Sequence, residues 1–165
     1  EADCDLSIVL PKLQDAKIFY LDVEDDAPIR DMLAAATTLV RFHSYKLRGA
    51  DELEFASNSL ESVVVHRTDC LSTLSVWSPV LKELTVQGCF GGFSDGAEVS
   101  ILDEHPLKMS MPGGAGSALS TGIEVSVLNS RLEARSLSRL CENPRVSQVK
   151  GLDDDDGAHD GTHMW

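Results

Sequence analysis

Residues 60–89, LESVVVHRTDCLSTLSVWSPVLKELTVQGC, decide the fold. Within them the pattern apolar-x-x-apolar-x-apolar occurs three times: Leu60, Val63, Val65, then Leu71, Leu74, Val76, then Leu81, Leu84, Val86. The last three positions of each unit alternate apolar and polar, as a half-buried strand requires. The leading apolar residue turns the chain into that strand.

Working outward, Ile18, Leu21, Val23 and Leu39, Phe42, Ser44 extend the first series. Its units start at 18, 39, 60 and 81, an even step throughout, with Ser44 the one poor match. A second series lies between them. Ile29, Met32, Ala34 and Ala50, Leu53, Phe55 lead into the unit at 71, so that 29, 50 and 71 repeat the same step. Ile8, Pro11 and Leu13 read as a degenerate unit in front. A short strand recurring at a fixed period stacks on its predecessor as a parallel ladder, each unit burying its apolar edge against its neighbours. The expected fold is mainly β, a β-solenoid array of ~21-residue coils with parallel strands and few short helices. The unit at 29 reads as a helix, with Asp26 able to cap and Pro28 suited to an early helical position. The unit at 71 reads as a strand.

Beyond Val86 the period fails. A glycine-rich loop, GCFGGFSDG at 88–96, interrupts it. Strand-like pieces resume at 98–102, 107–111 and 123–128, with PGGAGSALSTG at 112–122 as an insertion. Residues 131–141 read as a terminal helix, Arg131, Arg135 and Arg139 opposing Leu132, Leu137 and Leu140, fit to cap an open sheet end. The expected organisation is one domain over 1–150 (clear repeats 18–86, degenerate units 98–128) and an acidic tail over 151–165.

Composition narrows the function classes. With 165 residues and 42% hydrophobic content, the chain can build one domain with a real core. A net charge of -13 argues against nucleic acid and anionic lipid as partners. No apolar run approaches the ~18 residues of a membrane-spanning helix. Cys4, Cys70, Cys89 and Cys141 show neither C-x-x-C nor zinc spacing; two disulfides and four reduced thiols both remain open. The chain opens at Glu1 rather than Met, which suggests a processed form or a fragment, intracellular or organellar.

The phrase Ser78-Pro79-Val80-Leu81-Lys82-Glu83-Leu84-Thr85-Val86-Gln87-Gly88-Cys89 resembles the "SPxLKxLxVxxC" phrase in the leucine-rich repeats of plant and algal F-box-type proteins. The resemblance covers about thirty residues. It lacks an F-box segment, so a ubiquitin-ligase role does not carry over. The asparagine that such repeats place after the strand is replaced by Thr68 and Cys89, of which Cys89 is a family variant. The resemblance implies an LRR-like solenoid, curved or flat, used for binding proteins.

If the apolar positions point inward, the residues between them line up coil on coil. Tyr20, Asp22 and Glu24 would stand beside Arg41, His43 and Tyr45, then Ser62, Val64 and His66, then Glu83, Thr85 and Gln87. Tyrosine, arginine and histidine on one rigid sheet suit protein binding. The second series would expose Glu52 and Glu54 near Thr73, Ser75 and Trp77; an outward Trp77 asks for a cover.

Catalytic signatures are thin. Asp31 and Glu52, one period apart, are the best carboxylate pair for glycoside chemistry, yet Thr73 follows on the next coil. No G-x-S-x-G, H-E-x-x-H or Walker loop is present. No cofactor is implied. The tail, GLDDDDGAHDGTHMW, holds five Asp and no Lys or Arg. Asp153, Asp154, Asp155 and Asp156 lack the spacing of an EF-hand and are candidates only for weak divalent-cation binding, with folding onto the basic helix as the other reading.

The expected function is therefore that of a non-catalytic interaction or structural subunit within a multi-subunit complex. Its binding face would comprise Tyr20, Asp22, Arg41, His43, Tyr45, Val64, His66, Trp77, Glu83 and Thr85. An accessory or linker subunit of an organellar complex, for example an algal photosynthetic one, is one version. A polysaccharide-active enzyme and a cation-binding acidic module are the alternatives.

Overall fold

The computed structural model describes residues 12–24, 27–89, 96–106 and 118–151. The degenerate unit at 8, Cys4, the Asp26 cap, the strand at 107–111 and the acidic run at 153–156 lie outside these residues. Among the described residues the protein is mainly β, with parallel strands in two sheets and two helices.

The six-stranded sheet comprises β1 (Asp15–Phe19), β2 (Arg41–Tyr45), β4 (Ser62–His66), β6 (Glu83–Gln87), β8 (Ile123–Leu128) and β9 (Val146–Lys150), adjacent in that order. The three-stranded sheet comprises β3 (Glu52–Ala56), β5 (Thr73–Trp77) and β7 (Glu98–Ile101). The chain moves between two layers at every step, because helices α1 (Ala27–Ala35) and α2 (Ala134–Glu142) precede β2 and β9 where a strand of the smaller sheet would fall.

The period of the sequence is a physical register. Arg41 pairs with Ser62 and Ser62 with Glu83, and in the other sheet Glu52 pairs with Thr73. A slip by one residue would turn every apolar side chain outward, and the register prevents it by setting like on like. Val63 faces Leu84, which faces Val125 in turn; Leu53 faces Leu74, which faces Val99. These side chains form one continuous core with Leu39, Leu60, Leu81, Phe42 and Phe55, all essentially sealed from solvent. Phe42 and Phe55 meet edge to face at 4.7 Å between ring centres, joining the sheets. Each such side chain contributes about 2 kcal/mol by leaving water.

A column of serines closes the strand-to-turn junctions. Ser78 Oγ donates to the Leu60 carbonyl at 2.7 Å and accepts from the Val80 N–H at 3.2 Å. One period earlier Ser57 Oγ donates to Leu39 O at 2.9 Å and accepts from Ser59 N–H at 3.2 Å, and Ser120 Oγ donates to Leu81 O at 2.8 Å. Those buried carbonyls would otherwise lack partners.

Helix α2 closes the β7 edge. Ser136 Oγ accepts the Val99 N–H at 3.0 Å, and Asn143 Nδ2 donates to Ile101 O at 3.4 Å. An edge strand left bare would invite another chain. The helix begins at Ala134 rather than 131, because Leu132 first bridges Ala97 as a short parallel pair. Just beyond it Arg145, 3% exposed, donates to the carbonyls of Ser78, Leu102 and Ser120. Burial pulls its pKa below the ordinary arginine value, opposed by Asp103, and the guanidinium stays charged.

The first unit needs correction. Spacing alone sets it at Ile18, Leu21, Val23, but β1 starts at Asp15, and its pairing of Asp15 with Arg41 spans a longer step than that of Arg41 with Ser62. Asp15, Lys17 and Phe19, not Tyr20, Asp22 and Glu24, therefore stand beside Arg41, His43 and Tyr45. Leu21 and Val23 lie half-buried beyond the strand, where Asp22 bridges Arg48. Of the two states open to the cysteines, Cys70, Cys89 and Cys141 take the free thiol.

Ser44 explains itself as the imperfect unit. It is fully buried on the rung of Ile18 and Val65, and its hydroxyl has no partner among the described residues. Ser44→Ala removes an unsatisfied buried hydroxyl and should raise unfolding stability by about 1 kcal/mol, read from urea melts. Arg145→Ala should do the opposite, on the order of 3 kcal/mol, because three carbonyls lose a charged donor together.

Candidate functional site: the outer face of the six-stranded sheet

The alternation that buries Phe42, Val63 and Leu84 sends their neighbours outward in three columns. The first reads Asp15, Arg41, Ser62, Glu83, Glu124 and Gln148; the second reads Lys17, His43, Val64, Thr85, Ser126 and Lys150. The third reads Phe19, Tyr45, His66, Gln87 and Leu128. One further column follows, since the residue after each strand of this sheet takes a left-handed backbone: Tyr20, Lys46, Arg67, Gly88, Asn129 and Gly151.

Charge is sorted along the strands. At their starts Arg41 is held by Asp15, and Glu83 accepts from Ser62 Oγ at 3.0 Å and Thr85 Oγ1 at 3.4 Å. Lys150 reaches Glu124 at 2.9 Å. The Arg41 guanidinium, by hydrogen bond first, holds the Asp15 carboxyl below its usual range. At the strand ends the chemistry becomes aromatic and cationic. Phe19 and Tyr20 are 56% and 68% exposed, the most exposed large hydrophobic side chains of the described residues. Tyr20 meets Tyr45 edge-on at 5.4 Å, Phe19 meets His43 at 5.8 Å, and His43 meets His66 at 5.3 Å between ring centres.

Cations sit on this aromatic surface. Lys46 Nζ lies 4.8 Å from the Tyr20 ring centre and 5.8 Å from that of Tyr45, and Arg67 lies 5.7 Å from Tyr45. Arg67 also donates to the Tyr45 hydroxyl at 3.2 Å. A cation over an aromatic face gains about 0.5–1 kcal/mol at exposed sites. Beside them lies an open hollow of about 560 Å³, walled by Tyr45, Lys46, His66, Arg67 and the Arg48–Asp69 ion pair and reaching Gln87 and Asn129.

The structure thus brings together Arg41, His43, Tyr45, Val64, His66, Glu83 and Thr85 on one face, as the spacing implied. Tyr20 joins them from the corner rather than from the strand, through Tyr45. Asp22 stands off the face beside Arg48. Trp77 is on the other sheet, half-buried beneath His105 at 4.4 Å, its indole nitrogen buried without a hydrogen-bond partner among the described residues. Asp31 lies on α1 and Glu52 on β3, so they are not neighbouring rungs of one sheet, and Glu52 is engaged by Arg30 at 3.5 Å. Phe19, Lys46 and Arg67 escaped the sequence reading. Lys46, Arg67 and Gly88 each fall one period apart, and that signal could have found the corner.

No group of three His, Cys, Asp or Glu residues that could hold a metal ion occurs among the described residues, and none of their helices is long and apolar enough to cross a membrane.

His66 has a pKa below the ordinary histidine value, by partial burial first, then by His43 and Arg67. The unfolded chain takes up a proton near the ordinary 6.5, which the folded site resists. Its contribution to stability is therefore complete above that pH and is lost as pH falls toward the lowered folded value. Thermal melts between pH 7.5 and about 5 should decline less steeply for His66→Gln than for the parent chain.

Comparison with known proteins found no matching family model, no matching curated protein and no matching solved structure, so what this face does has to be read from its own geometry.

Proposed function

We propose that this protein is a non-catalytic interaction subunit, a leucine-rich-repeat-like solenoid that docks a partner protein on the outer face of its six-stranded sheet. The observation that carries this is the cluster of Phe19, Tyr20, His43, Tyr45 and His66 toward the strand ends, whose rings meet tilted or edge-on, with Phe19 and Tyr20 open to solvent and the others half-buried. Aromatic anchors with arginine nearby dominate binding energy at protein interfaces. Here they are immobilised by in-register strands, so little side-chain freedom remains to be lost on docking. The solenoid reading is supported by the alternation between layers and by the constant register, in which each unit buries its apolar edge only against its neighbours. Membership of a larger assembly, organellar or otherwise, is the natural use of such a face.

The experiment is affinity purification of the tagged chain from its source cells, followed by native mass measurement and quantitation of co-purifying chains. The complex should elute well above 17.9 kDa with a defined set of partners. Tyr45→Ala combined with His66→Ala should cut partner recovery by about tenfold or more. Glu54→Ala, exposed on the three-stranded sheet, should leave it unchanged. Elution as a bare monomer, or equal recovery with all three chains, would overturn the proposal.

A further inference from the structure

The corner where the strands end holds two cations, Lys46 and Arg67, that form no ion pair among the described residues. The chain has 27 acidic residues against 14 Lys and Arg. Several other cations sit beside carboxylates: Arg41 with Asp15, Lys82 with Glu61, Arg139 with Glu98, Lys150 with Glu124 and, on the wall of the same hollow, Arg48 with Asp69; Lys17, Arg131 and Arg135 form no ion pair among the described residues. Among the described residues no carboxylate lies within ion-pair distance of Lys46 or Arg67, which rest on tyrosine rings instead. Both therefore keep charge available to a ligand.

Their backbone strengthens the point. Lys46 and Arg67 hold φ of 55° and 50°, a left-handed conformation that glycine and asparagine adopt with less strain. Gly88, Asn129 and Gly151 take the same turn with those easier residues. Long cationic side chains in such positions strain the backbone and persist where the surroundings demand them. Gly88 keeps the hollow open: a side chain there would come within 3.3 Å of Arg67.

We propose that Lys46 and Arg67, with Tyr45 between them, bind the side-chain carboxylates of an acidic peptide segment on a partner protein; this rests on the reading of the sheet face as a docking surface and specifies its partner's chemistry. The two cations stand just past the ends of adjacent strands, whose axes are about 4.8 Å apart. Arg67 offers a planar fork to one carboxylate and Lys46 a point charge to another. Tyr20 and Tyr45 supply the apolar flank. The hollow of about 560 Å³ admits a few residues of an extended chain. A polyanion with a long phosphate backbone fits less well, because Glu83 and Glu124 line the far end of the same sheet and the chain carries a net charge of -13.

The test is fluorescence anisotropy of a fluorescein-labelled octapeptide of alternating Glu and Asp, titrated with the full chain at low ionic strength. A parallel titration uses the full chain with Asp153, Asp154, Asp155 and Asp156 replaced by Asn. Saturable binding that Lys46→Asn or Arg67→Asn weakens by about tenfold or more, with unchanged melting temperature, supports the proposal. Asparagine is chosen because Asn129 already makes this turn. Tighter binding to the Asn-tail chain than to the parent also supports it and identifies the chain's own acidic tail as a competitor. Binding indifferent to both substitutions, no binding by either chain, or preference for a single-stranded oligonucleotide over the peptide would overturn it. If the peptide fails while partner recovery still depends on Tyr45 and His66, the docking face stands and its acidic specificity falls.

Discussion

Every layer of this protein depends on parallel pairing in strict register. Val63, Val65, Leu84 and Val86 are fully buried because the strands on either side place buried side chains on the same rungs. No strand of this length could seal such side chains alone, so the strands stand or fall together. Even the polar interior obeys the constraint. Ser57 and Ser78 recur one period apart because the carbonyls they satisfy, at Leu39 and Leu60, recur at the same distance.

The register has a second effect on the outer surface. Where inward residues align, outward residues must align too, so any preference for a side-chain type becomes a column. Carboxylates thus collect at the strand starts, through Asp15, Glu83 and Glu124, while rings and cations collect at the strand ends. A protein with a strong net negative charge can in this way present a local surface of the other character. Screening within about 10 Å at ordinary salt keeps the two ends of the sheet partly independent.

What could be read in the sequence was whatever the core required. Leu60, Leu71 and Leu81 betray the period because water punishes any substitution there. The helix over α1 was readable from Pro28 and the Ala-rich run after it. The first strand was misplaced because Ile18, Leu21 and Val23 satisfy an apolar template although only Ile18 lies in the strand. Strand β9 was missed altogether: Val146 and Val149 are its half-buried residues, three apart across a register shift, and their spacing does not alternate. Arg145 was invisible for a different reason. Three carbonyls from distant segments converge on it, and nothing local to residue 145 announces them.

The corner column was harder to read, although Lys46, Arg67 and Gly88 fall one period apart, because it solves one backbone problem in two ways. After β6, β8 and β9 the left-handed turn falls to Gly88, Asn129 and Gly151, as local chemistry favours. After β1, β2 and β4 the same turn is made by Tyr20, Lys46 and Arg67, which local chemistry disfavours. The hydrogen bond that fixes the turn is present in both halves, from Lys46 N–H to His66 O at 3.0 Å and from Gly88 N–H to Leu128 O at 2.9 Å. Pairing therefore does not distinguish the two sets. The difference lies in the side chains, and these meet above the sheet as a ring–cation cluster beside an open hollow. A backbone need that glycine would meet more cheaply is met by residues that reach outward, where Lys46 and Arg67 rest on Tyr20 and Tyr45 rather than on the core.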